Sequence, residues 1–289
     1  MFPLSDDNPH FGTPFVTWTI IGLCVAVYLW QFTLGETALR EAVYALGVVP
    51  SSLLGGARLP EDIALVSPWM TVFTSMFLHG GFMHLGGNML YLWIFGDNIE
   101  VAMGWKRFIV FYLLCGIAAA LAQALVNPTS NIPMIGASGA IAGVLGAYLL
   151  LYPRARVRVF MFPFGIFGVP AVIVLGFWFL LQLVNSAGMS DGGGVAYLAH
   201  VGGFVAGLVL APLFRRKSVP LFAKARHRPF YKEPRQIYSG KRPRGQGPWG
   251  RRPGPSDNRT LEHALPHWIV SLQTGRHTCQ CPWRKSRRY

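Results

Sequence analysis

Long apolar runs are the feature that most restricts the fold of this 289-residue chain. The first run covers residues 14–34, and five more cover residues 71–95, 108–126, 138–152, 167–186 and 195–214, all without a charged side chain. A helix needs about 20 consecutive apolar residues to cross the hydrocarbon core of a bilayer. The sequence therefore predicts an all-α polytopic membrane protein with six transmembrane helices, of which the fourth is the shortest.

Charge divides the chain near residue 214. Residues 1–214 contain seven Lys or Arg and nine Asp or Glu, whereas residues 215–289 contain 19 Lys or Arg and three acids. The second part is rich in Arg, Pro and Gly and has no sustained apolar period, so burial cannot offset its ordering entropy. We expect a membrane domain over residues 1–214 and a disordered, basic cytoplasmic tail over residues 215–289. Contact of this tail with anionic lipid is an alternative, and no nucleic-acid partner is expected.

The short loops predict the orientation. Basic residues follow the second, fourth and sixth runs, at 106–107, 154–158 and 215–217, whereas residues 127–137 and 187–194 contain no Lys or Arg. Positive loops favour the cytoplasmic side, so both termini are expected there. The N-terminal residues lack the pattern of a signal or transit peptide. We therefore expect a multi-pass protein of a bacterial plasma membrane.

Polar side chains occur inside three of the runs. The second run contains His79, His84 and Asn88, the fourth begins with Ser138, and the sixth contains His200. Such side chains are costly in a bilayer and suggest a functional site. With the orientation above, all five lie in the outer half of their spans. Their convergence at one depth predicts a common site.

Glycines lie near Ser138 in the fourth run and near His200 in the sixth run. These are Gly136, Gly139, Gly203 and Gly207. His200, Gly203 and Gly207 share one face of a helix, and glycine allows helix backbones to approach closely. A hydroxyl on the fourth helix could then reach an imidazole on the sixth, as nucleophile activation requires. Glycine stripes in membrane helices are also common for packing alone.

The ionisable residues near the predicted site limit the reactions that it could catalyse. A Ser–His–Asp triad needs an acid beside the imidazole. Asp97 and Glu100 lie at the cytoplasmic end of the second run, and Asp191 lies in a Gly-rich loop before His200. We therefore favour a dyad that uses no metal and no cofactor. Zinc held by three histidines is the competing hypothesis, although there is no His-Glu-x-x-His motif and no carboxylate at that depth.

The motifs taken together resemble the rhomboid intramembrane proteases over residues 1–214. They are Phe2-Pro-Leu-Ser-Asp-Asp-Asn-Pro, His79-x4-His84-x3-Asn88, Glu100-x3-Gly104, Gly136-Ala-Ser138-Gly139 and Ala199-His200-x2-Gly203-x3-Gly207. The resemblance implies a six-transmembrane-helix rhomboid-like bundle that cleaves transmembrane segments of other membrane proteins within the lipid bilayer. A catalytically inactive rhomboid-like protein that binds membrane helices is the alternative, and a small transporter is a third class. The oligomeric state is not predicted.

The resemblance also implies roles for the residues. Ser138 would be the nucleophile and His200 the general base. His84, Asn88 and the Ser138 backbone N–H would form an oxyanion hole, and His79 would support it by hydrogen bonding. A polar cavity opening to the outer face would admit water, with the loop over residues 186–194 as its lid.

Two positions depart from the family pattern. Met70 follows Trp69, where the family commonly has Arg after Trp. Ala142 stands four residues after Ser138, where an aromatic ring often stacks on the catalytic histidine. The second departure predicts that His200 is less rigidly held than in the family.

Overall fold

The structure is a computed structural model, and it describes residues 2–8, 12–187 and 196–223. All of these residues belong to one compact unit, residues 1–231. The helices of the described part are α1 (Phe15–Thr33), α2 (Glu36–Leu46), α3 (Pro50–Leu53), α4 (Pro68–Thr74), α5 (Phe82–Tyr91), α6 (Asp97–Met103), α7 (Trp105–Val126), α8 (Ser138–Leu151), α9 (Ala171–Ala187) and α10 (Tyr197–Phe214). The strands are β1 (Phe2–Asp6), β2 (Arg156–Met161) and β3 (Gly165–Pro170).

Three of the described helices are long and apolar enough to cross a membrane, namely α1, α7 and α10. They coincide with the first, third and sixth apolar runs. The shorter apolar helices α8 and α9 coincide with the fourth and fifth runs. The mostly helical character that the sequence predicts is thus confirmed, and three of the six predicted spans have this length among the described helices.

The second apolar run does not form the single helix that its composition predicts. It contains α4, a 3₁₀ turn at Ser75–Phe77, α5 and a π-helical turn at Leu92–Gly96 that leads into α6. Between the 3₁₀ turn and α5, the chain is extended at Leu78 and continues through Gly80 and Gly81. The side chain of Gln31 replaces the missing helical hydrogen bonds at His79, since its Oε1 accepts the His79 N–H at 2.9 Å.

The fold is not all-α, because the three strands form an antiparallel sheet in the order β1-β2-β3. Phe2 pairs with Phe160, and Phe160 pairs with Ile166. Along β2 the side chains of Val157 and Val159 are buried in the core, whereas their neighbours Arg156 and Arg158 are exposed. This alternation suits a half-buried strand. The helix of the fifth apolar run, α9, consequently begins at Ala171 and not at residue 167.

Helix α8 lies at the centre of the bundle. Most of its 14 residues are buried, and it packs against α10 and α7. Residues 215–223, which the sequence assigns to the tail, continue along the bundle. The Arg216 N–H donates to the Ala102 carbonyl at 2.8 Å, and the Phe222 N–H donates to the Leu150 carbonyl at 3.0 Å. The rest of the predicted tail lies outside the described residues.

Candidate active site

A serine and a histidine meet where α8 and α10 cross. Ser138 is the first residue of α8, and His200 lies in the first turn of α10. The Ser138 Oγ is 2.8 Å from the His200 Nε2, and both side chains are half-buried. This distance is that of a hydrogen bond. The two residues that the sequence pairs across the fourth and sixth helices are therefore brought together.

Glycines allow this close approach. A Cβ on Gly203 would lie 2.0 Å from the carbonyl oxygen of Gly139, and a Cβ on Gly207 would lie 2.0 Å from that of Gly143. No side chain fits at either position, so the backbones of α8 and α10 are in direct contact. The glycine faces of the two helices thereby bring the Ser138 hydroxyl within hydrogen-bonding distance of the His200 imidazole.

Gly136 lies two residues before α8 and contacts α5. Its φ of +124° lies in a region that favours glycine, and a Cβ there would lie 2.8 Å from the Nε2 of His84. Its N–H donates to the Ser75 carbonyl at 2.8 Å. Glycine is thus required at this position both by the backbone and by the neighbouring ring.

Two side chains of α5 present N–H groups. The Nδ1 of His84 accepts the Gly80 N–H at 3.2 Å, which leaves the ring proton of a neutral imidazole on Nε2, toward Gly136. Asn88, one turn later, is 7% exposed, and its Nδ2 finds no partner among the residues that the structure describes. The backbone N–H of Ser138 also lacks an intrahelical acceptor, because it belongs to the first turn of α8. N–H groups of this kind can stabilise an oxyanion.

His79 lies behind His84. It is 2% exposed, and the two rings meet edge to face with their centroids 5.2 Å apart. Its backbone is held by Gln31 of α1, whose Nε2 donates to the His79 carbonyl at 3.2 Å. Gln31 is not among the residues that the sequence motifs predict for the site. A single buried amide in an otherwise apolar run would have indicated it.

A second missed residue contacts the histidine of the pair. The Nδ1 of His200 is 2.8 Å from the Oε1 of Gln182 on α9. The ring of Trp178, one turn before Gln182, has its centroid 5.8 Å from that of His200. The aromatic neighbour that Ala142 cannot supply is therefore provided by α9.

The acids considered from the sequence differ in their surroundings. The carboxylate of Glu100 accepts the backbone N–H groups of Val16 and Thr17, at 2.9 Å and 2.7 Å, and so holds the first turn of α1. Asp191 and the rest of the predicted lid over residues 188–194 lie outside the described residues. Within residues 2–8, 12–187 and 196–223, no group of three or more His, Cys, Asp or Glu is arranged to hold a metal ion.

A small cavity lies beside the hydroxyl. Its volume is about 50 Å³. Its lining includes Ser138, Gly139, Ala199 and Met134. The cavity is therefore formed largely by small side chains next to the reactive pair.

The fold and this site together define a helical membrane protein with a hydroxyl–imidazole pair between two of its helices. The profile of the Rhomboid domain matches residues 67–217, which include every residue named for the site except Gln31. The chain belongs to the rhomboid family. The resemblance that its motifs indicate is thus confirmed.

Several relatives support this membership. The chain is 31% identical over 228 residues to Rhomboid protein 1, mitochondrial, of Saccharomyces cerevisiae, an alignment that covers 68% of this chain and 63% of the relative. It is 28% identical over 214 residues to the Rhomboid protease GluP of Bacillus subtilis, covering 74% of this chain and 37% of the relative. It is 26% identical over 196 residues to the Rhomboid protease GlpG of Serratia proteamaculans, covering 68% and 61%. The chain thus spans less than two thirds of the length of each.

Proposed function

We propose that the chain is an intramembrane serine endopeptidase that cleaves transmembrane segments of other membrane proteins. The observation that carries this proposal is the 2.8 Å distance between the Ser138 Oγ and the His200 Nε2. Two of the relatives are named as rhomboid proteases, which supports the same activity for this chain. No metal or cofactor takes part in the proposed reaction.

The proposed reaction begins at the hydroxyl. The Nε2 of His200 takes the proton of Ser138 while Oγ attacks the carbonyl carbon of the scissile peptide bond. The imidazolium then donates this proton to the leaving amine, and an acyl group remains on Ser138. A water molecule, deprotonated in turn by His200, hydrolyses the ester and restores the hydroxyl.

The negative oxygen of the tetrahedral intermediate is stabilised by three N–H groups in this proposal. They belong to His84 (Nε2), Asn88 (Nδ2) and the backbone of Ser138. Loss of one such donor costs about 2.7–4 kcal/mol of transition-state stabilisation in a water-excluded site. The buried Asn88 Nδ2 supports this role, because a buried N–H without a partner among the described residues can donate to an incoming oxygen.

The remaining site residues shape the site in this proposal. His79 supports the ring of His84 by edge-to-face contact and not by the expected hydrogen bond, since its Nδ1 faces the Phe77 carbonyl oxygen at 3.2 Å. Gly136 admits that ring beside the nucleophile, and Gly139, Gly203 and Gly207 bring α8 and α10 together. None of these four glycines contributes a reacting atom.

The membrane arrangement completes the proposal. Six spans cross the bilayer, the second as the broken segment that contains α5, and both termini lie on the cytoplasmic side. Residues 1–214 form the membrane domain, and residues 215–289 form a cytoplasmic tail whose first part, residues 215–223, packs on that domain. The positive loops support this orientation for a bacterial plasma membrane. Reporter fusions after residues 130, 190 and 223 test it, since the first two should be extracytoplasmic and the third cytoplasmic.

An activity-based probe tests the proposed reaction. A fluorophosphonate should label the purified chain at Ser138 alone, and Ser138→Ala should abolish labelling. An inactive rhomboid-like helix binder would not react. Zinc chemistry would instead produce cleavage that a chelator abolishes, without labelling of Ser138.

A further inference from the structure

Gln182 is an unusual residue for the helix that carries it. Helix α9 is apolar, and most of its large side chains are exposed, among them Val172, Ile173, Phe177, Leu180 and Val184. Its buried residues are Ala171, Val174, Leu175 and Gln182, so the amide is the one polar side chain that α9 turns inward. Burying an amide is costly unless both its ends are hydrogen-bonded. Gln182 must therefore have partners for its oxygen and its nitrogen.

The partners of the amide fix its orientation. The Nε2 of Gln182 donates to the carbonyl oxygen of Trp178, one turn earlier, at 3.2 Å. The Oε1 consequently faces the Nδ1 of His200, at 2.8 Å. A carbonyl oxygen can only accept a hydrogen bond, so the proton of His200 is on Nδ1.

This proton position determines the state of the other ring nitrogen. A neutral imidazole carries one N–H, so the Nε2 of His200 is unprotonated and accepts the hydrogen bond of Ser138. This is the tautomer that a general base needs. The opposite tautomer would direct an N–H at the hydroxyl and leave Gln182 facing a second acceptor.

Trp178 restrains the same ring from its side. The planes of the two rings are inclined by 35°, and Trp178 also lies 6.1 Å from the ring of Phe204 on α10. Trp178 and Gln182 are four residues apart and so share one face of α9. Trp178 therefore restrains the orientation of the imidazole, and Gln182 stabilises its tautomer.

We infer that Gln182 is a positioning residue, which fixes His200 in the tautomer that accepts the proton of Ser138. The inference rests on the proposed function, since it assigns a partner to the proposed base. Three helices then contribute to the site. The nucleophile is on α8, the base is on α10, and the group that orients the base is on α9. In this role Gln182 acts through His200 and not on a reacting atom.

The experiment replaces the amide in two ways. Gln182→Leu removes the acceptor, and we expect kcat to fall about 10-fold to 100-fold, less than the roughly 10⁴-fold loss when a charged triad partner is changed. KM should stay within about twofold, because the loss occurs in the chemical step. Gln182→Glu restores an acceptor, so it should regain activity relative to Gln182→Leu.

The pH profile separates orientation from mere packing. A carboxylate favours the imidazolium, so Gln182→Glu should move the acid limb of kcat/KM to higher pH. The other titratable groups near His200 among the described residues are His84 on α5 and Tyr197 on its own helix, and both are unchanged in the variant.

Gln123 provides a matched control. It is as buried as Gln182, at 8% exposure, but its Oε1 accepts the Ala199 N–H at 3.3 Å and not an imidazole proton. Gln123→Leu should lower the melting temperature about as much as Gln182→Leu, yet leave kcat unchanged.

The outcomes distinguish this inference from the proposed function. A folded Gln182→Leu variant with wild-type kcat would overturn it, and so would an acid limb unmoved in Gln182→Glu. Should Gln182→Leu not fold, the acid limb of Gln182→Glu alone decides. Turnover by Ser138→Ala, in contrast, would remove the proposed function itself, whatever Gln182 does.

Discussion

Gly203 of α10 lies against the backbone of Gly139 on α8, so close that a Cβ on Gly203 would be 2.0 Å from the Gly139 carbonyl oxygen. Gly139 directly follows Ser138 on α8, and Gly203 lies about one turn after His200 on α10. The 2.8 Å separation of the Ser138 Oγ and the His200 Nε2 depends on this contact, because neither side chain is long enough to span a wider gap. Packing and chemistry are therefore linked at this crossing.

The first prediction concerns Gly203→Ala. The added methyl group meets backbone rather than a flexible side chain, so α8 and α10 must separate, at a cost of about 1–3 kcal/mol. A misplacement of about 1 Å can lower the rate about 100-fold, and we expect a loss of that order in turnover. Thermal unfolding in detergent and cleavage of a labelled transmembrane substrate measure the two effects.

Gly176→Ala on α9 is the matched control for this change. A Cβ there meets nothing within 4 Å. Alanine should stabilise the helix by up to about 1 kcal/mol and leave turnover unchanged. If Gly203→Ala behaved like Gly176→Ala, the close contact would not limit the site.

The second prediction concerns the amide of Asn88. Removal of its N–H in Asn88→Ala should lower kcat by about 10²–10³, with residual activity from the remaining donors. Asn88→Asp keeps the shape but offers an acceptor in place of the donor, so it should lose at least as much. Wild-type turnover by Asn88→Asp would exclude the proposed donor role.

The third prediction follows from Asp6 on β1. Burial, with a smaller contribution from the charges of Asp97 and Asp7, raises the pKa of this carboxyl from 3.8 to about 7, although the hydrogen bond from Tyr148 partly offsets the shift. Between these pH values the native state retains a proton that the unfolded chain has released. The free energy of unfolding should therefore fall as the pH rises from 3.8 to about 7, and should change no further through Asp6 above that.

Asp6→Asn tests this dependence. The variant should unfold with a flatter pH profile across this window, as measured by thermal scans at successive pH values. Asp62→Asn, in the exposed loop before α4, should keep the slope. An unchanged slope in Asp6→Asn would show that other groups cause it.

The fourth prediction concerns the end of the membrane domain. Ending the chain after Ala223 should leave turnover and melting temperature unchanged. Ending it after Phe214 removes the hydrogen bonds of the Arg216 and Phe222 N–H groups to the bundle, together with the packing of Leu221. Each buried hydrogen bond contributes about 1 kcal/mol, so the shorter chain should melt at a lower temperature. Equal stability of the two truncated chains would contradict this role for residues 215–223.

The sequence predicts which side chains meet better than it predicts the course of the backbone. Ser138 and His200 could be paired because few polar side chains occur inside apolar runs, and each is costly there. Gln31 and Gln182 carry the same signal, but a neutral amide has no ionisable or nucleophilic group that would indicate a reaction. Their partners also become visible only when helices distant in the sequence are packed together.

The sheet could not be predicted in the same way. The alternation of Arg156, Val157, Arg158 and Val159 has the period of a strand, but a basic loop after a membrane span has another explanation in the positive-inside rule. The partner of β2 in the first six residues is about 150 positions away. Pairing over such a separation depends on the tertiary fold rather than on local sequence.

The broken second span has a similar explanation. Residues 71–95 are long and apolar enough for a helix that crosses a bilayer. Hydropathy, however, does not show where the backbone hydrogen bonds of a segment are made. The extended turn at His79 exists because Gln31 of α1 supplies these hydrogen bonds. Only the assembled bundle provides that partner.

Catalysis by Ser138 and His200 can be tested with the purified wild-type chain, Ser138→Ala and His200→Ala, each reconstituted with a labelled single-span substrate. We expect the wild-type chain to cut within the transmembrane segment, as located by mass spectrometry of the products. Both variants should stay folded and yield no product. Product formation by either folded variant at the wild-type rate would contradict the account.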